Sequence, residues 1–176
     1  IVGAQAGGQQ ATMTGGNNSI LGYGAMQYAT STSGNISIGW ESGKNLSTGD
    51  YNIFMGYSAG GTTTDVDHSV IIGFQAGISN MTSAADGTIA IGYKAANALT
   101  SGDSNTAIGY EAGKALTTGA STVAIGYQAM SVGTVANHIV AIGKAAGKNI
   151  ATDGNAQRNT YVGSHTGETV TNGIGQ

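Results

Sequence analysis

The stretch Asn105-Thr106-Ala107-Ile108-Gly109-Tyr110-Glu111-Ala112-Gly113-Lys114-Ala115-Leu116-Thr117-Thr118-Gly119 is followed, after Ala120, by Ser121-Thr122-Val123-Ala124-Ile125-Gly126-Tyr127-Gln128-Ala129, a second copy of one phrase with its glycine 17 residues after the first. The phrase is an aliphatic residue, a glycine, usually an aromatic, and a small pair two residues on. It recurs around Gly3, Gly22, Gly39, Gly56, Gly73, Gly92, Gly109, Gly126, Gly143 and Gly163, at spacings of 19, 17, 17, 17, 19, 17, 17, 17 and 20. A fixed period this short marks a solenoid, in which one repeat is one coil that cannot bury its apolar face without its neighbours.

Around each glycine the pattern alternates with period two. Large apolar or β-branched residues stand three before, one before and one after it, as in Ile36, Ile38 and Trp40, or Val123, Ile125 and Tyr127, while the interleaved positions are small, as in Ala90 or Ala124. Such alternation predicts a strand. A small-residue corner follows (Ser42-Gly43, Ala59-Gly60, Ala76-Gly77, Ala112-Gly113, Ala146-Gly147), where glycine accommodates a sharp bend. An aliphatic residue seven after the glycine (Leu46, Leu99, Leu116, Ile150, Val170) predicts a second, weaker strand or extended segment, and Thr-Gly or Ser-Gly turns the chain back. The expectation is an all-β parallel β-roll or β-solenoid of about ten 17-residue coils over 1–176, with loops bulging at the insertions before Gly22, Gly92 and Gly163. Stacked at about 4.8 Å per rung, the coils would make a rod about 45–50 Å long. Glycines recurring this densely argue against helices, at about 1 kcal/mol each.

The main strand has two faces, one of Ala and Gly, the other a ladder that includes Ile38, Trp40, Ile72, Phe74, Ile91, Tyr93, Ile108, Tyr110, Ile125 and Tyr127. Two arrangements satisfy this pattern. Small residues inside would leave the apolar ladder outside, in need of a partner chain; large residues inside would leave a flat Ala/Gly face for close contact between chains. Either way an oligomer is expected.

Composition narrows the classes. Glycine is 31 of 176 residues, against about 7% in ordinary proteins, yet the 40% apolar content is periodic, as disordered segments rarely are. Lys44, Lys94, Lys114, Lys144, Lys148 and Arg158 are scattered over a chain of net charge -3, so no basic stripe exists to bind nucleic acid. No apolar run reaches the roughly 18 residues of a membrane helix. The absence of cysteine excludes disulfides and thiolate metal sites. Residue 1 falls inside a repeat, which reads as a segment of a longer chain.

Few residues suggest chemistry. Asp65, Asp67 and His68 lie close enough for a conceivable metal site, against the simpler reading of a solvated loop. His138 and His165 stand on different coils with no carboxylate at useful spacing in the sequence, and no nucleophile, base and orienting group come together, so neither an enzyme nor a cofactor is expected. A polysaccharide lyase on a solenoid would need charged groups gathered on one face, which nine acids over ten coils do not supply. Gly3, Gly7 and Gly8 lack the Lys-Ser/Thr of a phosphate-binding loop. Gly-x-x-x-Gly, as from Gly39 to Gly43, reads as corner geometry. Glu41 with Lys44 and Glu111 with Lys114 suggest solvent-facing pairs, and Asn-x-Ser/Thr at Asn17, Asn35, Asn45 and Asn80 reads as chance in an Asn- and Thr-rich chain.

The Asn105–Tyr110 and Ser121–Ala129 phrases resemble the Ser-Val-Ala-Ile-Gly repeats of trimeric autotransporter (YadA-like) adhesin heads, and equally the glycine-rich repeats of phage tail fibres, over nearly the whole chain. The resemblance implies a left-handed roll, three chains around one axis, and an extracellular fibre used in attachment to a cell-surface glycan or protein receptor. The adhesin coil is shorter than 17 residues, which favours the tail-fibre relatives over a bacterial adhesin or filament. A carbohydrate-binding solenoid that stacks sugars on the aromatic ladder is the alternative, and ladder exposure separates it from core packing.

Overall fold

The computed structural model describes residues 1–8, 13–150 and 157–170. The strands β1 (Ser19–Leu21), β2 (Ile36–Ile38), β3 (Ile53–Met55), β4 (Val70–Ile72), β5 (Ile89–Ile91), β6 (Thr106–Ile108), β7 (Val123–Ile125) and β8 (Val140–Ile142) pair parallel in chain order. After the short β9 (Asn149–Ile150), β10 (Thr160–Val162) pairs with β8 and completes a nine-stranded parallel sheet. The chain is a β-solenoid of about eight turns. The coil of Gly3 joins the stack through an isolated parallel bridge, Val2 to Leu21.

Register never slips. The middle residues align as Ile20, Ser37, Phe54, Ile71, Ala90, Ala107, Ala124, Ala141 and Tyr161, across the two-residue insertion before Gly92 as well. That insertion is absorbed between Ser79 and Asp86, where a 3-10 turn (Ser83–Ala85) forms and Met81 is drawn into the core. The residues that would bulge before Gly22 and Gly163 include 9–12 and 151–156, which lie outside the described residues.

The second strand forms only late in the chain, where β9 pairs with β11 (Thr169–Val170). In earlier coils the same place is a turn, closed by the Leu46, Leu99 and Leu116 amides donating to Gly43, Ala96 and Gly113 carbonyls at 3.0–3.1 Å. Each coil turns through a doubly left-handed corner, those that lead into β9 and β11 included. Two residues past each motif glycine the backbone takes positive φ (Glu41 51°, Glu111 54°, Gln128 53°), and it does so again two residues later (Gly113 57°, Met130 50°).

The interior settles which face is inside. The middle residue of each strand is buried while the residues flanking it are half-buried or exposed. The small face therefore lines the roll and the large ladder points out. The inner face is not uniformly small, because Ile20, Phe54, Ile71 and Tyr161 share that column with Ala90, Ala107, Ala124 and Ala141. Large residues elsewhere fill the remaining coils: Leu46 with Ser37, Leu99 with Ala90, Leu116 with Ala107, Met130 with Ala124 and Ile150 with Ala141. Each coil thus places one or two bulky groups inside, supplied from different positions, with Met26 joining Ile20 and Met81 joining Ile71.

Buried polar side chains lock successive coils together. The Asn52 Oδ1 accepts the Ser69 amide proton at 2.9 Å and its Nδ2 donates to the Val66 carbonyl at 2.6 Å; Asn35 does the same with the Asn52 amide (2.8 Å) and the Gly49 carbonyl (2.9 Å). Asn105 repeats the arrangement with the Thr122 amide and the Gly119 carbonyl. These groups satisfy backbone donors and acceptors that the short strands leave over. Asn35 is fully buried in this ladder, so its Asn-x-Ser sequence is no surface acceptor.

Candidate functional surface

Three outward columns make a continuous apolar surface along the described rungs. The residues three before and one before each motif glycine are aliphatic in most rungs. Among them, Leu21, Ile36, Met55, Ile142 and Val162 are exposed, and Ile38, Ile72, Ile91, Ile108 and Ile125 are half-buried. The third column is aromatic. Trp40, Tyr57, Phe74, Tyr93, Tyr110 and Tyr127 are all exposed, from 37% for Tyr93 to 49% for Tyr127.

These rings stack on one another. Tyr57, Phe74, Tyr93, Tyr110 and Tyr127 form a continuous pile with centroids 4.9–5.5 Å apart and planes within 12° of parallel, and Tyr23 stacks on Trp40 at 4.4 Å. The rung spacing of a parallel sheet, about 4.8 Å, imposes this contact on any aromatic repeated at one position. Stacking consumes the ring faces and leaves the edges to solvent. A sugar that packs on an aromatic face therefore finds one only at the ends of a pile.

Beside the aromatic column lies the polar corner. Glu41 and Lys44 pair at 2.7 Å, and Glu111 and Lys114 at 2.8 Å, as their shared repeat position suggests. Gln128 Nε2 adds a 2.9 Å bond to the other Glu111 oxygen. The Lys114 ammonium, then the Gln128 amide, hold the Glu111 carboxyl below the usual carboxylate range, and the hydrogen bond to Glu111 raises Lys114. Each pair borders an open groove. One, of about 410 Å³, is lined by Asn97, Ala98, Glu111, Lys114, Ala115, Gln128, Ser131, Val132 and Lys148. The other, of about 350 Å³, is lined by Tyr28, Glu41, Lys44, Asn45, Ser58, Gly61, Thr62 and Ile78.

The conceivable metal ligands are distributed differently. Asp67 belongs to a ladder of carboxylates six residues before the motif glycine, in which Asp50, Asp67 and Asp86 accept the Ser33, Asp50 and Asp67 amide protons at 2.6, 2.7 and 2.8 Å. His68 stacks on Tyr51 at 5.4 Å, and Asp65 accepts a bond from Thr64. Among the described residues no three His, Cys, Asp or Glu side chains assemble as a metal site. His165, read from sequence as lacking a carboxylate, has Glu168 Oε2 at 2.8 Å across one turn, in an exposed pair. No described helix is long and apolar enough to cross a membrane.

The carboxylate ladder carries a pH signature. Burial, opposed by the Asp67 amide and reinforced by the Asp67 charge, raises the Asp86 pKa above its ordinary value. The folded state then binds the proton more tightly than the unfolded one, so stability falls as pH rises from the ordinary carboxylate pKa through the folded one, and the ionised group costs stability above it. An amide does the same structural work elsewhere in this column, where Asn137 Oδ1 accepts the Ala120 amide proton at 2.9 Å. Asp86→Asn is therefore expected to stabilise the protein at pH 7, by about 0.5 kcal/mol after solvent screening at this half-exposed site. The gain should vanish near pH 3, where Asp86 is protonated. Urea midpoints at the two pH values check this, and a loss at pH 7 would refute it.

The ladder columns and the corner were legible in the period-17 pattern; the ring stacking, the buried Asn ladder and the carboxylate ladder were not drawn from it, although Asp50 and Asp67 stand one period apart, as do Asn35 and Asn52. Comparison of this chain with protein-family models, curated proteins and solved structures finds no match.

Proposed function

We propose that this chain is a structural repeat segment of an extracellular homotrimeric fibre of the tail-fibre type, serving as shaft or head in attachment to a surface. The observation that supports this most is the outward apolar face, in which aliphatic columns and an aromatic pile run along successive rungs, exposed or half-exposed among the described residues. An apolar stripe of that length is a liability for an isolated rod, and identical chains side by side bury it at matching rungs, because each copy carries the same 17-residue repeat. Three copies follow from the resemblance of the repeats to trimeric fibres. A bacterial surface adhesin or filament would use the same face in the same way.

Sedimentation of the purified chain tests the reading. Three copies per particle are expected, stable on dilution into the micromolar range. Ile91→Glu with Ile108→Glu places two carboxylates on adjacent rungs of the face and is expected to release monomers that keep their β-sheet circular dichroism, since both side chains point away from the core. A wild-type chain that sediments as a monomer overturns the reading.

A further inference from the structure

We propose that the two flanks of the apolar face are complementary halves of one interface: the aspartate flank of each chain docks against the lysine flank of a second copy, so that copies associate parallel and rung to rung. This rests on the fibre reading and names what sets the polarity and axial register of its chains.

The charges are sorted by their place on the coil. All five lysines stand within five residues after a motif glycine: Lys44, Lys114 and Lys148 five after it, Lys94 two after and Lys144 one after. The described aspartates lie on the other side of the strand, Asp50, Asp67, Asp86 and Asp103 six residues before the glycine and Asp65 eight before it. Between these positions run the three apolar columns. The face is therefore bordered along one side by carboxylates and along the other by ammonium groups. Glu41, Glu111 and Glu168 share the lysine side and Arg158 the aspartate side, which leaves two positive charges on one flank and four negative charges on the other among the described residues.

Within the chain the flanks do not reach each other. The ion pairs among the described residues, Glu41 with Lys44, Glu111 with Lys114 and His165 with Glu168, all lie on the lysine flank. Lys94 holds its ammonium over the Tyr93 ring, 5.3 Å from the centroid, at the very border of the apolar face. On the far border Asp50, Asp67 and Asp86 are half-buried and Asp103 is exposed, one carboxylate on each of four successive rungs about 4.8 Å apart. Like charges in such a row repel, and a row of cations on another chain offsets that repulsion.

Geometry turns this sorting into a choice of orientation. Two rods that meet across their apolar columns can run parallel or antiparallel. Turning one of them end for end sets aspartate flank against aspartate flank and lysine flank against lysine flank. Rotation about an axis along the rods, as in any cyclic assembly, brings unlike flanks together instead. A closed ring admits no axial shift, so like rungs meet, and Asp86 and Asp103 stand level with the next copy's Lys94 and Lys114. Exposed ion pairs add little affinity, whereas like charges set opposite one another penalise the wrong arrangement. The apolar columns hold the copies together, and the flanks decide how they lie.

Cross-linking of single-cysteine variants tests the pairing, because the chain has no cysteine of its own. Asp103→Cys and Lys114→Cys change side chains that reach solvent, and the Asp103 carboxylate accepts the Ser104 hydroxyl at 3.1 Å rather than a backbone amide. The two variants are unfolded in urea, mixed, refolded and treated with a short bis-maleimide. The mixture is expected to give covalent dimers with one chain of each kind, at least tenfold more than either variant alone. Charge reversal reads the same contact without a linker. Asp103→Lys or Lys114→Glu alone should weaken assembly at least tenfold in about 10 mM salt and far less in about 1 M, as the screening length falls from roughly 30 Å to 3 Å, and the two reversals in one chain should restore it. Circular dichroism and sedimentation of each sample report folding and copy number. Particles of three copies in which one variant cross-links as well as the mixture, or in which neither the mixture cross-links nor the reversals matter, overturn the flank pairing and leave the fibre reading standing. A wild-type chain that stays monomeric overturns both.

Discussion

Gly109→Ala is expected to cost about 4 kcal/mol of folding stability, enough to leave the chain largely unfolded or aggregated at 37 °C. The motif glycine has φ +130°, a region that L side chains rarely adopt, and an added Cβ would sit 2.6 Å from the Gly126 carbonyl oxygen and 2.8 Å from its carbon. Neither neighbour can give way. The backbone of Gly126 is fixed by its own amide bond to the Ile108 carbonyl at 2.8 Å, and it repeats the same contact onto Gly143. The last motif glycine separates the two causes. At Gly163 φ is +128°, but among the described residues an added Cβ meets only the Thr166 side chain, at 3.3 Å. Gly163→Ala should therefore cost about 1–2 kcal/mol, the conformational part alone. Denaturant midpoints of both variants measure the difference. Equal losses would show that strain, not the approach of successive coils, fixes these glycines.

This contact explains why the fold was so readable. The coil-to-coil distance in a parallel stack leaves no room for a side chain where the strand leaves the sheet, so glycine recurs there and its spacing announces the rung. The outward columns were readable for a related reason. Each is a single position repeated, and its residues share one environment. What stayed hidden depends on contacts between different positions. The sequence pattern says that the inner strand face is small, and Phe54, Ile71 and Tyr161 contradict it, because a bulky interior group can be supplied from any of several positions in the coil. The corner was half legible. Its glycines, such as Gly113, were expected to bend the chain, whereas Glu111 at φ 54° was not, since nothing about a glutamate signals a left-handed backbone. Asp67 was grouped with Asp65 and His68 by proximity in sequence, while in the solenoid its true neighbours are Asp50 and Asp86, one coil away on either side.

Volume sharing inside a coil makes the second large effect testable. Phe54 is fully buried, with its ring filling the space against Gly43 and Gly60. Phe54→Ala should cost about 3–5 kcal/mol, since the neighbouring coils, pinned by their own backbone bonds, cannot collapse into the void. The Gly109 coil shows an alternative solution to the same interior: Ala107 at the strand centre, Gly113 at the corner and Leu116 seven residues past the motif glycine, where the Phe54 coil has Gly60 and Thr63. Adding Thr63→Leu to Phe54→Ala copies that solution. Leucine on consecutive rungs is already tolerated there, as Leu99 and Leu116 show, and the Gly60 carbonyl that loses the Thr63 hydroxyl keeps the Thr63 amide at 3.1 Å. The double variant should recover about 1–2 kcal/mol of the loss, because the new side chain returns apolar volume to the cavity from the opposite wall. Thr63→Leu alone, with Phe54 still present, should destabilise by overpacking, so the two changes are coupled with opposite signs. A double-mutant cycle in urea reads that coupling directly. Simple additivity of the two losses would mean that each column is packed independently and that the coil interior has no shared volume to conserve.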